Sequence, residues 1–400
     1  MEKTKKKKMK KSTKFKILLF MLLSLFVALT ALLMLLVPGR KFAGNFPLMV
    51  KNTFVSKEKA GYPYLSDEFE ILAVKKIGSG IGILDENELC VLNAKGSQLM
   101  QIKHGFSGPV LETAWGKAIL YDRQSGRMKV MGPYGVLFEE DYSKNILAVA
   151  LGRKNNLAVA SKLPGQSALL EVFDKNGNKI FTQDFENDRI TSVALSEDGK
   201  SVAVALLGSK DAQLYSNLVI YDFNQEETAG FFTYPETLIF KVSYCKNKKI
   251  ALVGDNYLGY IKTRGKEKMT PEHEYTYATG SIRDYAVSER GRVTLLLEEI
   301  GDANKNFLKA YDYEGKLKFE EKLEQKARAV SCDENYCSVL SDDNLISFSE
   351  KGKRVGEHKL TKFAQRPVSV GRYTFGVEKK SVTRIQTQGF ENKTGKNTNK

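Results

Sequence analysis

The chain has few of the residues on which metal sites and catalytic triads depend, with three histidines, four cysteines and one tryptophan among 400 residues. The histidines, His104, His273 and His358, lie far apart, and each follows or ends a hairpin-like segment. That spacing does not indicate a metal site or a Ser-His-Asp arrangement, so we interpret the three as surface residues. The acidic pairs do not follow the spacing of a calcium loop either. The sequence therefore predicts no catalytic residue, no metal ligand and no bound cofactor.

Paired Cys-x-x-Cys motifs, which are typical of zinc sites, are also missing. Cys332 and Cys337 instead flank a predicted turn, with four residues between them. This spacing places the two thiols opposite each other across antiparallel strands, and outside the membrane such a pair can form a disulfide that closes a short loop. Cys90 and Cys245 are expected to behave as small buried apolar residues.

The central part of the chain has almost no excess of one charge. The formal net charge is +15, from 62 basic and 47 acidic residues, but nine lysines fall within residues 1–16 and six basic residues fall within 379–400. Between these ends the net charge is only about +2. Nucleic-acid binding usually needs a clear basic excess, so the body of the chain gives no reason to expect that partner.

The longest apolar segment runs from Ile17 to Val37, 21 residues in which only Ser24 and Thr30 are polar. At a helical rise of about 1.5 Å per residue this segment is roughly 31 Å long, which matches the apolar core of a bilayer. A buried helix of a soluble protein is rarely apolar on every face. A cleaved signal peptide would have a shorter apolar region and a small-x-small cleavage site, and no such site follows Val37. We therefore predict an uncleaved signal-anchor helix.

The charges that flank this helix predict its orientation. The positive-inside rule places the lysine-rich residues 1–16 in the cytosol and the chain from about residue 40 onward outside. The protein is then expected in the cell membrane, with the lipid bilayer as one partner and an extracytoplasmic body. Residues 387–400 are polar and predict a disordered tail.

Beyond residue 71 the sequence consists of short strand-like segments separated by turn signals, without long helical patterns. One hairpin type is clearest at residues 190–205, where two β-rich runs flank Glu197-Asp198-Gly199. Similar segments occupy residues 145–161, 238–254, 281–297 and 327–340. A second type, clearest at residues 170–181 and 309–319, has an aromatic-Asp pair, a glycine turn and another strand. We expect the aspartate to cap the turn backbone and not to act in catalysis.

The turn glycines of the second type recur about every 43 residues between Gly96 and Gly352, a period typical of propeller repeats. Two hairpins per repeat give four strands, which is one propeller blade. We therefore predict an all-β fold, a β-propeller of four-stranded antiparallel blades at residues 67–386, preceded by the one transmembrane helix.

The number of blades depends on how the ring closes. Seven two-hairpin units and a further hairpin at residues 367–385 favour eight blades, and seven blades with an overlapping closure are the alternative. Residues 38–66 are a predicted linker that can contribute a ring-closing strand, for which Pro47 to Ser56 is the candidate. A pair of β-sandwich domains is a further alternative.

The turn Ser196-Glu-Asp-Gly-Lys200 resembles the Ser-x-Asp-Gly-Lys turn of WD40-like and TolB-like propellers. The whole layout has a lysine-rich tail, one anchor helix and repeats such as Leu214-Tyr-Ser-Asn-Leu-Val-Ile-Tyr-Asp222. It resembles an uncharacterised family of bacterial single-pass membrane-anchored β-propeller proteins. The Trp-Asp dipeptide of true WD40 repeats is missing, since the only tryptophan is Trp115. The resemblance implies fold and topology but transfers no activity.

These observations favour a non-catalytic platform that binds a protein or peptide partner at the cell envelope, because propeller faces are broad and built from loops. The alternative is an envelope hydrolase or lyase that acts on glycan or peptide, with its site in the propeller channel. That function requires carboxylates from several blades to converge on the channel. The side chains that line the channel therefore distinguish the two hypotheses.

Overall fold

The structure is a computed structural model, and it describes residues 61–387 apart from 67, 264–268, 278–279 and 324. Within these residues the chain forms 32 β-strands and one short 3₁₀ turn, Lys246–Lys248. No helix in this part of the chain is long and apolar enough to cross a membrane. The predicted segments at residues 1–16, 17–37 and 47–56 lie outside the described residues.

The strands form eight antiparallel sheets of four strands each, so the prediction of an eight-bladed propeller is confirmed. In the first four blades the strands run in chain order from the innermost to the outermost. Their bounds are, for blade 1, β2 Ala73–Ile77, β3 Gly80–Leu84, β4 Glu88–Leu92 and β5 Gln98–Lys103; for blade 2, β6 Pro109–Ala114, β7 Lys117–Asp122, β8 Arg127–Gly132 and β9 Gly135–Asp141; for blade 3, β10 Ile146–Leu151, β11 Leu157–Ser161, β12 Ala168–Phe173 and β13 Lys179–Phe185; and for blade 4, β14 Arg189–Leu195, β15 Ser201–Lys210, β16 Gln213–Asp222 and β17 Thr228–Pro235.

The remaining blades follow the same order until the ring closes. Their bounds are, for blade 5, β18 Ile239–Cys245, β19 Lys249–Gly254, β20 Tyr257–Lys262 and β21 Thr270–Thr276; for blade 6, β22 Gly280–Val287, β23 Val293–Glu299, β24 Asp302–Tyr311 and β25 Leu317–Leu323; for blade 7, β26 Ala327–Cys332, β27 Tyr336–Ser341, β28 Asn344–Ser349 and β29 Arg354–Lys359; and for blade 8, β30 Ala364–Val370, β31 Tyr373–Glu378, β32 Ser381–Gln386 and β1 Tyr64–Leu65.

Blade 8 closes the ring by combining strands from both ends of the described chain. The segment expected to be one hairpin contributes three strands, β30 to β32, and the fourth is β1. Tyr64 pairs with Val382 and Leu65 with Ser381 in antiparallel register. The closing strand thus comes from the predicted linker 38–66, but from its end, since Tyr64–Leu65 follows the Pro47–Ser56 segment that we had favoured.

The hydrophobic core lies between neighbouring blades, because both faces of each sheet are covered. Strand β15 shows this most simply. Val202, Val204 and Leu206 contact blade 3, whereas Ala203 and Ala205 contact blade 5. Since successive side chains of a strand point to opposite faces, the middle strands are almost continuously apolar.

The hairpin turns follow the local chemistry expected from the sequence. In the second-type turn of blade 3, Asp174 Oδ1 accepts hydrogen bonds from the backbone N–H groups of Asn176 at 2.8 Å and Asn178 at 2.9 Å. The aspartate therefore caps the turn, as predicted. In the equivalent turn of blade 6, Gly315 has a φ of +89°, and a Cβ atom there would lie 2.8 Å from the Tyr260 ring.

Six of the innermost strands share a β-bulge near their first residues. The residue that follows the bulge is Ala148, Ser192, Lys241, Asp284, Ala329 or Arg366. In blades 4 and 6 the side chain of this residue accepts a hydrogen bond from the next blade. Ser192 Oγ accepts a hydrogen bond from Val242 N at 3.1 Å, and Asp284 Oδ2 accepts one from Val330 N at 2.9 Å.

Candidate binding site

The two faces of the ring differ in the loops that they carry. One face carries the turns between the first and second strands of each blade and between the third and fourth; we call it the hairpin face. The opposite face carries the connections between blades and the turns between the second and third strands; we call it the linker face. The innermost strands line the central channel that joins the two faces.

Two adjoining cavities open beside the channel on the hairpin face, with volumes of about 420 and 460 Å³. Both are lined by Arg153, Glu197, Tyr244 and Cys245, so they form one continuous recess. The first cavity extends towards blade 5, and the second extends across the channel to Trp115. We call this site the hairpin-face recess.

Trp115 is placed in the recess by the turn between β6 and β7, where its φ is +53°. Its backbone N–H donates to Glu289 Oε1 at 3.1 Å, although Glu289 lies on blade 6, four blades further round the ring. The Arg153 guanidinium lies 5.5 Å from the centre of the indole ring and also pairs with Glu197. These contacts hold a partly exposed aromatic ring and a guanidinium side by side.

The inner wall of the recess is formed by Tyr244, whose hydroxyl lies 3.0 Å from Ser201 Oγ. Burial raises the pKa of Tyr244, so the phenol is neutral and acts only as a hydrogen-bonding group. The lining contains five basic side chains and three acidic ones, so its net charge is positive: Arg153, Lys154, Lys246, Lys248 and Arg290 against Glu197, Asp198 and Glu289. The recess thus combines aromatic surface with a cationic rim.

The central channel contains a further cavity of about 440 Å³, lined by the innermost strands of blades 1, 2, 5, 6, 7 and 8. Carboxylates do enter it, from Glu112 and Asp284 among others. Glu112 forms an ion pair of 3.5 Å with Lys75, and Asp284 accepts the hydrogen bond from blade 7 described above. Lys241 and Arg366 line the same cavity. The channel is therefore a polar space of mixed charge without a histidine among the described residues that line it.

The family model described as a family of unknown function, DUF5711, matches residues 64–386. The chain belongs to this family. The matched range begins at β1 and ends at β32, so the DUF5711 model covers the complete ring. No curated protein sequence matches the chain.

The fold of this DUF5711 chain is similar to that of several solved structures, one of which is a WD40 domain. The C-terminal WD40 domain of Sif2 has a TM-score of 0.57 at 10 % identity, covering 82 % of this chain and 100 % of that one. Sqt1 of Chaetomium thermophilum, bound to the N-terminus of the ribosomal protein L10, has a TM-score of 0.56 at 12 % identity, with coverage of 82 % and 100 %. Raptor of the same organism has a TM-score of 0.51 at 7 % identity, and the match covers 80 % of this chain but 28 % of Raptor. At such identities these similarities establish the fold alone.

The three histidines differ in how far they are buried. His358 is exposed and His273 is half-buried, but His104 is buried, so its interpretation as a surface residue was wrong. Its Nε2 lies 3.2 Å from the Asp85 carbonyl, and its Nδ1 accepts the N–H of Phe106 at 3.0 Å. Both ring nitrogens are therefore satisfied inside the fold. Among the described residues, no group of three or more His, Cys, Asp or Glu side chains could hold a metal ion.

Cys332 and Cys337 pair directly across β26 and β27, and both are free thiols in the structure. Asp333 N donates a hydrogen bond to Tyr336 O, so these two residues form a hydrogen-bonded pair next to the turn. Such pairs alternate with non-hydrogen-bonded pairs along antiparallel strands, so Cys332 and Cys337 form a non-hydrogen-bonded pair, in which Cα atoms are typically about 4.5 Å apart. This spacing suits a disulfide. Burial raises the pKa of Cys332 to about 12 and that of Cys337 still higher. The disulfide stays a prediction.

The hairpin-face recess was not identified from the sequence. Its members lie far apart along the chain, since 174 residues separate Trp115 from Glu289. One signal was present: the single tryptophan precedes Gly116 at a position where hairpin turns fall in the other repeats. A large aromatic residue at a turn, in place of the usual Asp, Asn or Ser, is a candidate contact residue.

Proposed function

We propose that this DUF5711 chain is a membrane-anchored platform that binds a protein or peptide segment in the hairpin-face recess at the cell envelope. One observation carries the proposal: Trp115, Arg153 and Tyr244 converge from three blades on one open recess. Tryptophan, arginine and tyrosine dominate the binding energy of protein interfaces, because they combine large contact areas with hydrogen-bonding groups.

The charge of the recess supports a partner with acidic residues. Five basic side chains line it against three acidic ones, and of these Arg153 and Glu197 already pair with each other. An acidic segment would find cations at the rim whose charges have no ion pair among the described residues, Arg290 and Lys154 among them. Such charge complementarity raises the association rate and selects the partner. By fold analogy, the similar Sqt1 propeller is bound to a chain terminus of another protein.

The anchoring part of the proposal is supported by the apolar segment 17–37 and the lysines of residues 1–16. Gly61 lies against Gly96, a turn residue of the hairpin face, so the described chain begins on that face. The 26 residues between Val37 and Tyr64 can span at most about 90 Å. On this proposal, the recess lies on the same face as the attachment to the anchor, and Tyr64 lies within that distance of the membrane surface.

Site-directed photocrosslinking in intact cells tests the proposed binding site. A crosslinking residue in place of Lys154, in the recess, is expected to give a discrete adduct with an envelope protein. The same residue in place of Lys210, at the exposed end of β15 on the linker face, serves as the matched control and should give none. Trp115→Ala should reduce the Lys154 adduct about tenfold or more, because it removes a central contact residue. An adduct only from position 210 would contradict the site, and the lack of adducts from both positions would contradict the platform function.

The side of the membrane on which the propeller lies can be tested separately. A protease added to intact cells, after removal of any outer layer, should digest the propeller and leave a short fragment that contains residues 17–37. Complete protection that is lost only on lysis would contradict an extracytoplasmic body. This outcome does not depend on whether a partner is found.

A further inference from the structure

We infer that the central channel binds a small oxyanion, an organic acid or a phosphate compound, through Lys241 together with Arg366 and Lys76. All three residues line the same cavity of about 440 Å³. This site adjoins the hairpin-face recess, with which it shares Glu289, but it involves a different class of ligand. The inference is based on which charged side chains of the channel have a partner within the protein.

The carboxylates of the cavity are already engaged. Asp284 accepts a backbone N–H of blade 7 at 2.9 Å, and Glu289 accepts the N–H of the recess tryptophan at 3.1 Å. Asp333 Oδ1 accepts two backbone N–H groups of its own turn, at 2.8 and 2.9 Å. Glu112 forms the 3.5 Å ion pair with Lys75. Each negative group of the cavity therefore has a partner within the protein.

Three cations of the same cavity are not engaged in this way. Among the described residues, Lys241, Arg366 and Lys76 form no hydrogen bond and no ion pair within 4.0 Å. Lys241 and Arg366 both follow the bulge of an innermost strand, the position from which Asp284 bonds to the next blade. In blades 5 and 8 the residue after the bulge, Lys241 or Arg366, therefore presents a positive side chain to the channel. In blade 6 the residue at this position, Asp284, instead makes a hydrogen bond to the next blade.

Lys241 is the central member of this group. It borders both the 440 Å³ cavity and a second channel space of about 150 Å³ lined by blades 2 to 6. The pKa of Lys241 is lowered overall. Desolvation and the nearby Lys75 ammonium lower this pKa, and the Glu112 carboxylate partly offsets them. Lys241 is half-buried, and an ammonium group partly removed from water without a partner is unfavourable. A bound oxyanion would supply the missing charge and hydrogen bonds.

The dimensions of the cavity limit the ligand. A space of about 440 Å³ inside a ring of strands suits a small molecule and cannot accept a folded partner. Guanidinium and ammonium groups recognise carboxylate and phosphate oxygens in particular. Organic acids and phosphate compounds share this chemistry, so an oxyanion of either kind fits the cavity.

Isothermal titration calorimetry of the purified full-length protein tests the inference with citrate and with inorganic phosphate, at constant ionic strength set by sodium chloride. We expect saturable binding of at least one of them. Tighter binding of citrate would indicate an organic acid, and tighter binding of phosphate a phosphate compound. Lys241→Gln and Arg366→Gln should each weaken binding about tenfold or more, since each removes a charge-assisted hydrogen bond. Lys210→Gln, an exposed lysine outside the channel, should bind as the wild type does.

The absence of saturable binding to the wild type would overturn the inference, and so would equal affinity in Lys241→Gln. A folding control accompanies these measurements. Without an anion, Lys241→Gln should unfold at the same temperature as the wild type or higher, because it removes a half-buried charge that has no partner among the described residues. The anion should then raise the unfolding temperature of the wild type more than that of Lys241→Gln. A crosslinked partner at the recess, or its absence, has no bearing on these outcomes.

Discussion

Lys249 provides the most direct test of how the blades are held together. Its side chain is 5 % exposed and lies between two carboxylates. Its Nζ is 2.5 Å from Glu272 Oε2 in the same blade and 2.7 Å from Glu314 Oε2 in blade 6. Lys262 contacts Glu272 from the other side at 3.0 Å. The ammonium group therefore joins blades 5 and 6 outside the innermost strands.

The substitution Lys249→Met keeps most of the apolar stem and removes only the charge. A hydrogen bond to a charged group contributes about 1.5–3 kcal/mol. Lys249 donates one to Glu314 Oε2 and forms an ion pair with Glu272. The glutamate side chains are 24 % and 31 % exposed, so water recovers part of their solvation when the lysine is removed. We therefore expect the free energy of unfolding to fall by about 2–4 kcal/mol at neutral pH.

The dependence on pH follows from the same contacts. Hydrogen bonds from Lys249 hold the pKa values of Glu272 and Glu314 below the ordinary value of 4.5. Their contribution to stability is therefore complete above pH 4.5 and is lost as the pH falls through the lowered values. Burial opposes the charge of Lys249, but the two carboxylates raise its pKa above 10.5 overall. That contribution is complete below pH 10.5 and is lost as the pH rises through the raised value.

Urea unfolding of the full-length protein, followed by circular dichroism, measures these effects. The difference between wild type and Lys249→Met should be largest at neutral pH and should shrink in acid. Lys305→Met is the matched control, because Lys305 also contacts two carboxylates but lies on the surface, where such pairs contribute little. A difference that is the same at neutral and acidic pH would refute the electrostatic explanation, and so would equal losses in the two variants.

Three further predictions concern the turns, the connections between blades and the cysteines. Gly315→Ala should lower the free energy of unfolding by about 1–3 kcal/mol more than Gly301→Ala in the same urea assay. Both glycines have a φ near +90°, but an added Cβ meets a tyrosine ring only at Gly315. Asp284→Ala should cost about 1–3 kcal/mol, because a backbone N–H of blade 7 loses its acceptor; an unchanged urea midpoint would contradict that role. Titration of denatured protein should reveal two more thiols after reduction if Cys332 and Cys337 form a disulfide, and equal counts with and without reductant would contradict it.

The repeating part of the fold could be predicted because its signals are local. Asp-Gly at residues 198–199 and the aromatic-Asp pair that ends at Asp174 specify turns within a few residues, and the structure has turns at both places. The apolar runs between them are long enough for strands but too short for helices. The count of eight blades was less certain, because it depends on the pairing of Tyr64 with Val382 from the opposite end of the chain.

The candidate sites could not be predicted, because they consist of contacts between distant blades. His104 follows a hairpin-like segment, which favoured a surface position. It is buried because the Asp85 carbonyl and the Phe106 N–H satisfy its two ring nitrogens. The position of Lys241 could not be predicted from the sequence either, because Lys241 and Arg366 come to line the same cavity only when the ring is closed.

The closing strand β1 has a mechanical consequence. It contributes only two residues, Tyr64 and Leu65, to the outer edge of blade 8. Any tension that reaches the propeller through the chain before Gly61 acts first on these two backbone pairs, with the Tyr62 ring, 5.2 Å from that of Phe375, as additional support. The other seven blades are each built from consecutive strands of the chain and do not lie in this path. Under force the ring should therefore open at blade 8, so a pull on the chain before Gly61 would release the closure before it disturbs the recess.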